Sequence, residues 1–175
     1  MKDKSIKLTS TSYALLAVIG EFGEMTSYDI KGEIEASIEN FWPVPHTTAY
    51  EEPVRLAAAG YLSSRQEEGG RRRRLYSLTD RGREALAAWA AEPAVAPPQL
   101  RDEVILKIFA GADPVPLHAP RVKFHQEKCA ELEGYLEEVR ATSGMETSER
   151  VLALGIAYQR KMIELLEEFA PPDER

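Results

Sequence analysis

The chain has 175 residues, of which 43% are hydrophobic and 29% charged, and its formal net charge is −7. These proportions are ordinary for a folded soluble protein and exclude a chain that is disordered throughout. The length accommodates one domain or two small ones. A single cysteine, Cys129, excludes an internal disulfide framework and a cysteine-rich metal centre, and it favours a reducing, cytoplasmic location.

The charge is shared unevenly between the two parts of the chain. Residues 1–91 hold 12 Lys and Arg against 13 Asp and Glu, a balance of −1, whereas residues 92–175 hold 10 against 16, a balance of −6. A polyanion would therefore meet least repulsion on the N-terminal part. Even there, attraction must come from a local basic patch, because the summed charge of the chain opposes it.

The first predicted helix covers residues 11–20, between a polar start at Ser10 or Thr11 and a glycine stop, and a turn follows over residues 22–25. Its apolar run is too short to span a membrane and lacks a small-residue cleavage site. We therefore expect neither export nor insertion into a membrane.

Two more helices follow. Ser27 is a candidate N-cap for the second helix, in which isoleucine recurs every four residues until the prolines of segment 43–45 end it. The third covers residues 46–60 and ends at a glycine. It contains Pro53, which is tolerated near a helix start but kinks a helix interior.

Next, the sequence predicts strand, tight turn, strand over residues 61–78, with Tyr76 and Leu78 on one face. Thr79 is the expected cap of a fourth helix over residues 80–91. Residues 92–99 contain three prolines and no helical period, which is typical of a linker between domains.

Beyond that linker the sequence predicts a short helix at 100–109, a second proline-rich connection at 111–120, and two long helices at about 121–142 and 148–169. Apolar residues three and four positions apart form a seam on each long helix. Because two helices bury little surface alone, we expect a second copy to cover these seams in a two-fold dimer. The predicted interface residues are Val122, His125, Cys129, Leu132, Leu136, Val151, Gly155, Tyr158, Met162 and Leu165.

The order helix, helix, turn, helix, hairpin, helix is typical of a winged helix-turn-helix, whose third helix enters the major groove of DNA. The residues at the start of that helix are then nearest the bases, and threonine hydroxyls and helix-start amides suit phosphate oxygens. The predicted DNA-binding residues of this helix are His46, Thr47, Thr48, Tyr50 and, on a later turn, Arg55. Packing of Tyr50 within the protein is the alternative to a DNA contact.

The hairpin supplies a basic patch. Gly69 and Gly70 allow a tight turn, and the four arginines that follow, Arg71, Arg72, Arg73 and Arg74, are the predicted DNA-binding residues of the wing. Since side chains alternate along a strand, only a subset of the four can contact one surface equally. The alternative is a solvated edge whose charges discourage strand pairing.

Other chemistry is not indicated. The chain has no glycine-rich phosphate loop, no nucleophile elbow and no paired-histidine motif, so no enzyme and no cofactor are expected. His125 and Cys129 are four residues apart, yet nothing nearby completes a metal site. His125 is either a hydrogen-bonded interface histidine or a pH- or effector-sensitive one. Trp42 and Trp89 are predicted to be core or interface anchors.

The residues of the N-terminal part resemble the PadR family of bacterial transcriptional regulators. The resemblance lies in "LTSTSYALLAVIGEFGEMTSYDIKGEIEASIENFW", "HTTAYEEPVRLAAAGYL" and "GRRRRLYSLTDRGREALAAWAAEP", with "RDEVILKIFAG" and "GIAYQRKMIELLEE" similar to the family's C-terminal helices. It implies a homodimer, joined through those helices, that binds an inverted-repeat operator and represses nearby genes. Some members release DNA on binding a small aromatic or hydrophobic compound. Pro53 and the length of the arginine run depart from the usual pattern.

Taken together, the sequence predicts a mainly α protein with a winged helix-turn-helix at residues 1–91, a linker at 92–99 and an α-helical dimerisation domain at 100–175. The predicted partners are double-stranded DNA, a second copy of the chain and a small-molecule effector as an option, with no membrane. The alternative function is a winged-helix module that binds a protein partner and no DNA.

Overall fold

The computed structural model of the chain describes residues 6–39, 41–67, 73–93, 97–142 and 144–170. The chain forms two compact units, Met1–Ala94 and Val95–Arg175. The fold is mainly α with one small sheet, as the sequence predicts. In chain order the elements are α1 (Ser10–Phe22), β1 (Met25–Thr26), α2 (Ser27–Ser37), α3 (His46–Ala58), β2 (Leu62–Gln66), β3 (Arg74–Leu78), α4 (Asp80–Ala90), α5 (Glu103–Phe109), α6 (Val115–Arg140) and α7 (Glu146–Glu168).

The three strands form an antiparallel sheet in the order β1, β3, β2. Strand β1 is a correction, because the sequence predicts only a turn before the second helix. Met25 lies opposite Tyr76, and Thr26 lies opposite Leu75. Two residues are too few to show a period of two along the sequence, so only the pairing with β3 reveals this strand.

Threonines cap three helices of the first unit. Thr9 and Ser12 form a reciprocal capping box at α1, and Thr26 forms another with Asp29 at α2, where the sequence predicts Ser27 as the cap. The Thr26 hydroxyl and amide donate to Asp29 Oδ2 at 2.7 and 3.0 Å, and these hydrogen bonds lower the pKa of Asp29. The predicted cap Thr79 is confirmed, since its side chain accepts from the amide of Gly82.

The first unit has its own apolar core. Helix α1 contributes Leu15, Leu16 and Ile19, α2 contributes Ile30, and α3 contributes Leu56, all at most 2% exposed. Burial of these side chains contributes to the hydrophobic driving force for folding of this unit. Tyr76 packs into the same core with Leu78 beside it, as the alternation along the strand predicts.

Helix α6 begins at Val115, earlier than the sequence indicates, so the predicted proline-rich connection over residues 111–120 is wrong from residue 115 onward. Prolines at the first positions of a helix are tolerated because the amides there have no helical partner. Pro116 has such a position, whereas Pro120 lies inside the helix. The ring of His118 contacts the Leu166 carbonyl oxygen at 2.9 Å, which ties this early part of α6 to α7.

The core of the second unit lies between α6 and α7. Its buried members are Cys129, Leu132, Leu136, Leu152 and Ile156. Among the described residues no helix is long and apolar enough to cross a membrane.

Candidate nucleic-acid interface

The start of α3 presents an exposed polar surface. His46 and Thr47 are exposed, and the imidazole of His46 stacks on the Tyr50 ring with 4.8 Å between centroids. The N-cap is Pro45, and no side chain caps the first turn. The amides at this end are therefore left for an external acceptor such as a phosphate oxygen.

Further along α3, the exposed surface continues onto residues that sequence reasoning missed. Glu51 and Val54 are exposed; Glu51 lies one turn after Thr47, and Val54 lies one turn after Tyr50. Thr48 is half-buried, so of the predicted residues it is the least accessible at this end. The helical period places Glu51 beside Thr47 and Val54 beside Tyr50, because residues three and four apart are neighbours.

Arg55 does not belong to this surface, and its guanidinium is hydrogen-bonded to other groups of the chain. Its Nε and Nη2 donate to the two carboxylate oxygens of Glu52 at 2.7 and 2.5 Å. Nη2 also donates to Ser12 Oγ at 3.1 Å, and Nη1 donates to the Lys7 carbonyl oxygen at 3.4 Å. The structure therefore brings Arg55 to α1 rather than to His46 and its neighbours.

Glu52 is a buried carboxylate that the sequence analysis did not single out. Burial raises the pKa of Glu52, but hydrogen bonds from Arg55 and Ser12, with the charge of Arg55, outweigh it, and the net pKa lies below the ordinary value. The signal in the sequence is a Glu three residues before an Arg on one helix. That signal does not reveal burial, which follows from the packing of α3 on α1.

The wing is described on both sides of its tip. The Glu67 amide donates to the Arg73 carbonyl oxygen at 2.9 Å, and the Arg73 Nε donates to Glu67 Oε2 at 3.0 Å. Arg74 is exposed and lies opposite Gln66 on β2. The predicted turn residues Gly69 and Gly70 and the predicted contacts Arg71 and Arg72 lie outside the described residues.

Glu24 ties the base of the wing to the loop before β1. Its carboxylate accepts from Arg65 on β2, at 2.8 Å from Nε to Oε1, and from the Ser77 hydroxyl on β3 at 3.0 Å. The hydrogen bond from Arg65 is the main reason that the pKa of Glu24 lies below its ordinary value. Arg65 is thereby paired within the protein, as Arg73 is with Glu67, and both arginine side chains remain 60% exposed.

The predicted interface residues of the second unit divide into two groups. His125, Cys129, Leu132 and Leu136 are buried within one chain, where the last three pack in the core between α6 and α7. A Cβ added to Gly155 would lie 3.3 Å from Leu132 Cδ1, so this glycine faces α6 of its own chain. The seam of α6 is therefore filled by α7 of the same chain.

The second group remains accessible. Tyr158 and Leu165 are exposed, and Val122, Val151 and Met162 are half-buried. Helix α5 adds exposed apolar side chains that the interface prediction did not include, at positions 105, 106, 108 and 109. These residues, rather than the filled seam, are what a second copy could cover.

His125 and Cys129 have partners inside the unit. The His125 Nδ1 lies 2.6 Å from Gln159 Oε1, so this buried imidazole is hydrogen-bonded. Burial, and then the charge of Glu133, raise the pKa of the Cys129 thiol. No group of three potential metal ligands occurs among the described residues.

The two tryptophans do not belong to the apolar core. Trp42 is 39% exposed and donates from its indole nitrogen to Thr11 Oγ1 at 3.4 Å. Trp89 is 42% exposed and stacks on Tyr13 with 4.7 Å between ring centroids. The predicted core role is therefore wrong for both, because each ring rests on the surface of α1, while an interface role stays a prediction.

Comparison with known proteins gives consistent matches. Residues 15–88 match the model of the Transcriptional regulator PadR-like family. The chain is 26% identical over 138 residues to the negative transcriptional regulator PadR of Bacillus subtilis, covering 75% of each chain. It is similar to the crystal structure of Bacillus subtilis PadR in complex with operator DNA, at 22% identity and a TM-score of 0.79, covering 94% of this chain and 98% of that one. It is also similar to that protein in complex with p-coumaric acid, at 23% identity and a TM-score of 0.72, covering 92% and 96%. The winged helix-turn-helix and the arginine-bearing hairpin described above therefore belong to the part of the chain that matches the PadR-like family of transcriptional regulators, and the chain shares the fold of the solved PadR structures.

Proposed function

We propose that this protein is a repressor that binds an inverted-repeat operator as a homodimer and is released from it by a small aromatic or hydrophobic compound. Residues 1–91 bind DNA, residues 92–99 link the two units, and residues 100–175 form the dimer. The observation that carries the proposal is the exposed, uncapped start of α3 in the same unit as an arginine-bearing wing.

The chemistry of these two elements supports DNA as the partner. His46, Thr47 and Tyr50 offer hydrogen-bonding groups to base edges and phosphates, and Arg73 and Arg74 offer charge to the backbone. Bacillus subtilis PadR, similar in fold, has been solved with operator DNA. The acidity of the remaining chain favours poses in which α3 and the wing contact DNA together.

Exposed apolar side chains on α5 and α7 support the homodimer. Leu106 and Phe109 are 63% and 88% exposed, and Tyr158 and Leu165 are exposed on α7. Apolar surface of this extent is typical of a site that another protein covers. An isologous pair lets each copy cover the other, and it matches the two halves of an inverted repeat.

The relatives support repression and an effector. The Bacillus subtilis relative is a negative regulator, and its structure has been solved with p-coumaric acid. A planar aromatic acid of that kind is the effector class that we propose. In a binding assay, such a compound lowers operator affinity, and in a reporter strain it raises transcription from the regulated promoter.

Binding to a DNA fragment from upstream of the protein's own gene tests the proposal. Affinity is measured by fluorescence anisotropy at two salt concentrations for the wild type and for the double variant R73A/R74A. Loss of two phosphate contacts per subunit lowers DNA affinity at least tenfold. It also makes the salt slope, the slope of log affinity against log salt concentration, shallower by about two units for each subunit.

The matched control is R101A/R150A, which removes the same two charges from exposed positions of the second unit. We expect it to bind DNA as the wild type does. Absence of wild-type binding at low salt overturns the proposal and favours a winged-helix module that binds a protein. Equal losses in both double variants would instead assign the effect to total charge.

A further inference from the structure

We infer that Glu52 and Arg55 form a positioning clamp that sets the rotation of α3 about its axis, and thereby determines how selectively α3 recognises its operator. This inference rests on the proposed function, because it concerns the same DNA-binding surface. It assigns Arg55 a role other than the direct DNA contact that the sequence predicts, and it gives Glu52 a role in specificity.

Arg55 lies on the side of α3 away from the residues proposed to contact DNA. With 100° of rotation per residue, Arg55 lies about 180° around α3 from His46 and about 140° from Tyr50. A helix that presents His46 and Tyr50 to a groove therefore turns the Arg55 side chain away from it. The hydrogen bonds of Arg55 to Ser12 and to the Lys7 carbonyl oxygen show where it points instead, which is the start of α1.

The clamp joins Arg55 to two groups that are shielded from water. Glu52 is 9% exposed and Ser12 is fully buried, so neither group exchanges its partner freely with water. The guanidinium of Arg55 holds both carboxylate oxygens of Glu52 in a planar fork, a geometry that fixes direction as well as distance. Ser12 belongs to the capping box of α1, so the fork is tied to a rigid helix end.

The other buried residues of α3 constrain its rotation about the helix axis less than the clamp does. Ala49, Pro53 and Leu56 anchor the helix through apolar packing. Apolar attraction is non-directional, and so it holds the helix against the core more strongly than it fixes the rotation about the helix axis. A hydrogen-bonded fork at the edge of that packed face supplies the missing constraint, and base readout depends on it because donors must meet base edges within hydrogen-bond distance.

Two single variants and their combination test the clamp. Operator and non-specific DNA affinities, with their salt slopes, are measured for E52M, R55M and E52M/R55M, after circular dichroism shows that each is folded. We expect each single variant to lower operator affinity on the order of tenfold, with non-specific affinity and salt slope unchanged. The double variant loses no more than the worse single variant, because both remove one interaction.

The effect of E52M separates the clamp from a direct contact. If Arg55 touches phosphate, R55M weakens operator and non-specific binding alike, and it reduces the slope of log affinity against log salt concentration by about one for each subunit. In that case E52M, which removes a carboxylate, leaves DNA affinity unchanged or raises it. That pattern overturns the inference. If R55M or E52M does not fold, R55K and E52Q replace them, since lysine keeps the charge but cannot form the fork.

These outcomes also separate the clamp from the proposed function. Wild-type protein that binds no DNA overturns both. Wild-type protein that binds its operator, with opposite effects of E52M and R55M, overturns the clamp alone.

Discussion

Replacement of Gly82 by alanine is the most direct test of how α4 is joined to the base of the wing. An added Cβ at this position would lie 2.2 Å from the Tyr61 carbonyl oxygen, and 3.2 Å from both the Tyr61 carbonyl carbon and Leu78 Cδ2. A carbon and an oxygen in contact are normally at least about 3.3 Å apart, so two backbone segments must separate by roughly 1 Å.

The expected loss of stability in G82A follows from the contacts that this movement disturbs. Overpacking of this kind costs about 1–3 kcal/mol. The Tyr61 carbonyl oxygen also accepts from the Thr79 amide and hydroxyl at 3.2 and 3.0 Å, and loss of the Thr79 cap adds about 1 kcal/mol. Alanine regains about 1 kcal/mol of helix propensity. We therefore expect G82A to lower the free energy of unfolding by about 1–3 kcal/mol.

Urea denaturation followed by circular dichroism measures this loss, with G32A as the control in the same unit. Gly32 lies in the interior of α2, and an added Cβ there meets nothing within 4 Å. G32A should therefore gain up to about 1 kcal/mol from propensity alone. A G82A protein within about 0.5 kcal/mol of the wild type would refute the steric reasoning, as would an equal loss in G32A.

Two further predictions concern charge. Glu67 pairs with Arg73 and competes with phosphate for it, so E67Q should raise operator affinity about two- to fivefold, as measured by fluorescence anisotropy. The control E84Q, which removes one exposed charge from α4, should raise operator affinity less. Equal gains in the two variants would contradict this competition. Asp29 has a lowered pKa in the folded state, so its contribution to stability is present above the unfolded pKa and is lost as the pH falls through the folded pKa. D29N should lower the free energy of unfolding by about 1 kcal/mol at pH 7. Urea denaturation at pH 7 and at about pH 2.5 should show that the difference in unfolding free energy between D29N and the wild type is smaller in acid. A difference that does not change with pH would exclude this link between Asp29 protonation and stability.

Local patterns predicted most of the winged helix-turn-helix. The Thr79 cap, the alternation of Tyr76 and Leu78, and the proline break before α3 each depend on neighbours within a few residues. Their physical cause lies in the chain itself, and so the sequence carries it. The order of the elements, on which the resemblance to the PadR family depends, follows from the same local patterns.

Long-range packing decided what local patterns left open. Strand β1 exists because Met25 and Thr26 pair with β3, and Arg55 reaches Ser12 because α3 packs on α1. Neither of these two contacts is visible in a pattern along the chain, since Ser12 is 43 residues away from Arg55.

The apolar seams of α6 and α7 show both what the sequence determines and what it leaves to tertiary packing. Their spacing determined that two long helices form and that each has an apolar stripe, because a stripe depends only on the helical period. The helical period does not determine which surface covers each stripe. The tertiary structure decided that α7 fills the seam of α6, through Leu152 and Ile156, and that Tyr158 and Leu165 stay exposed.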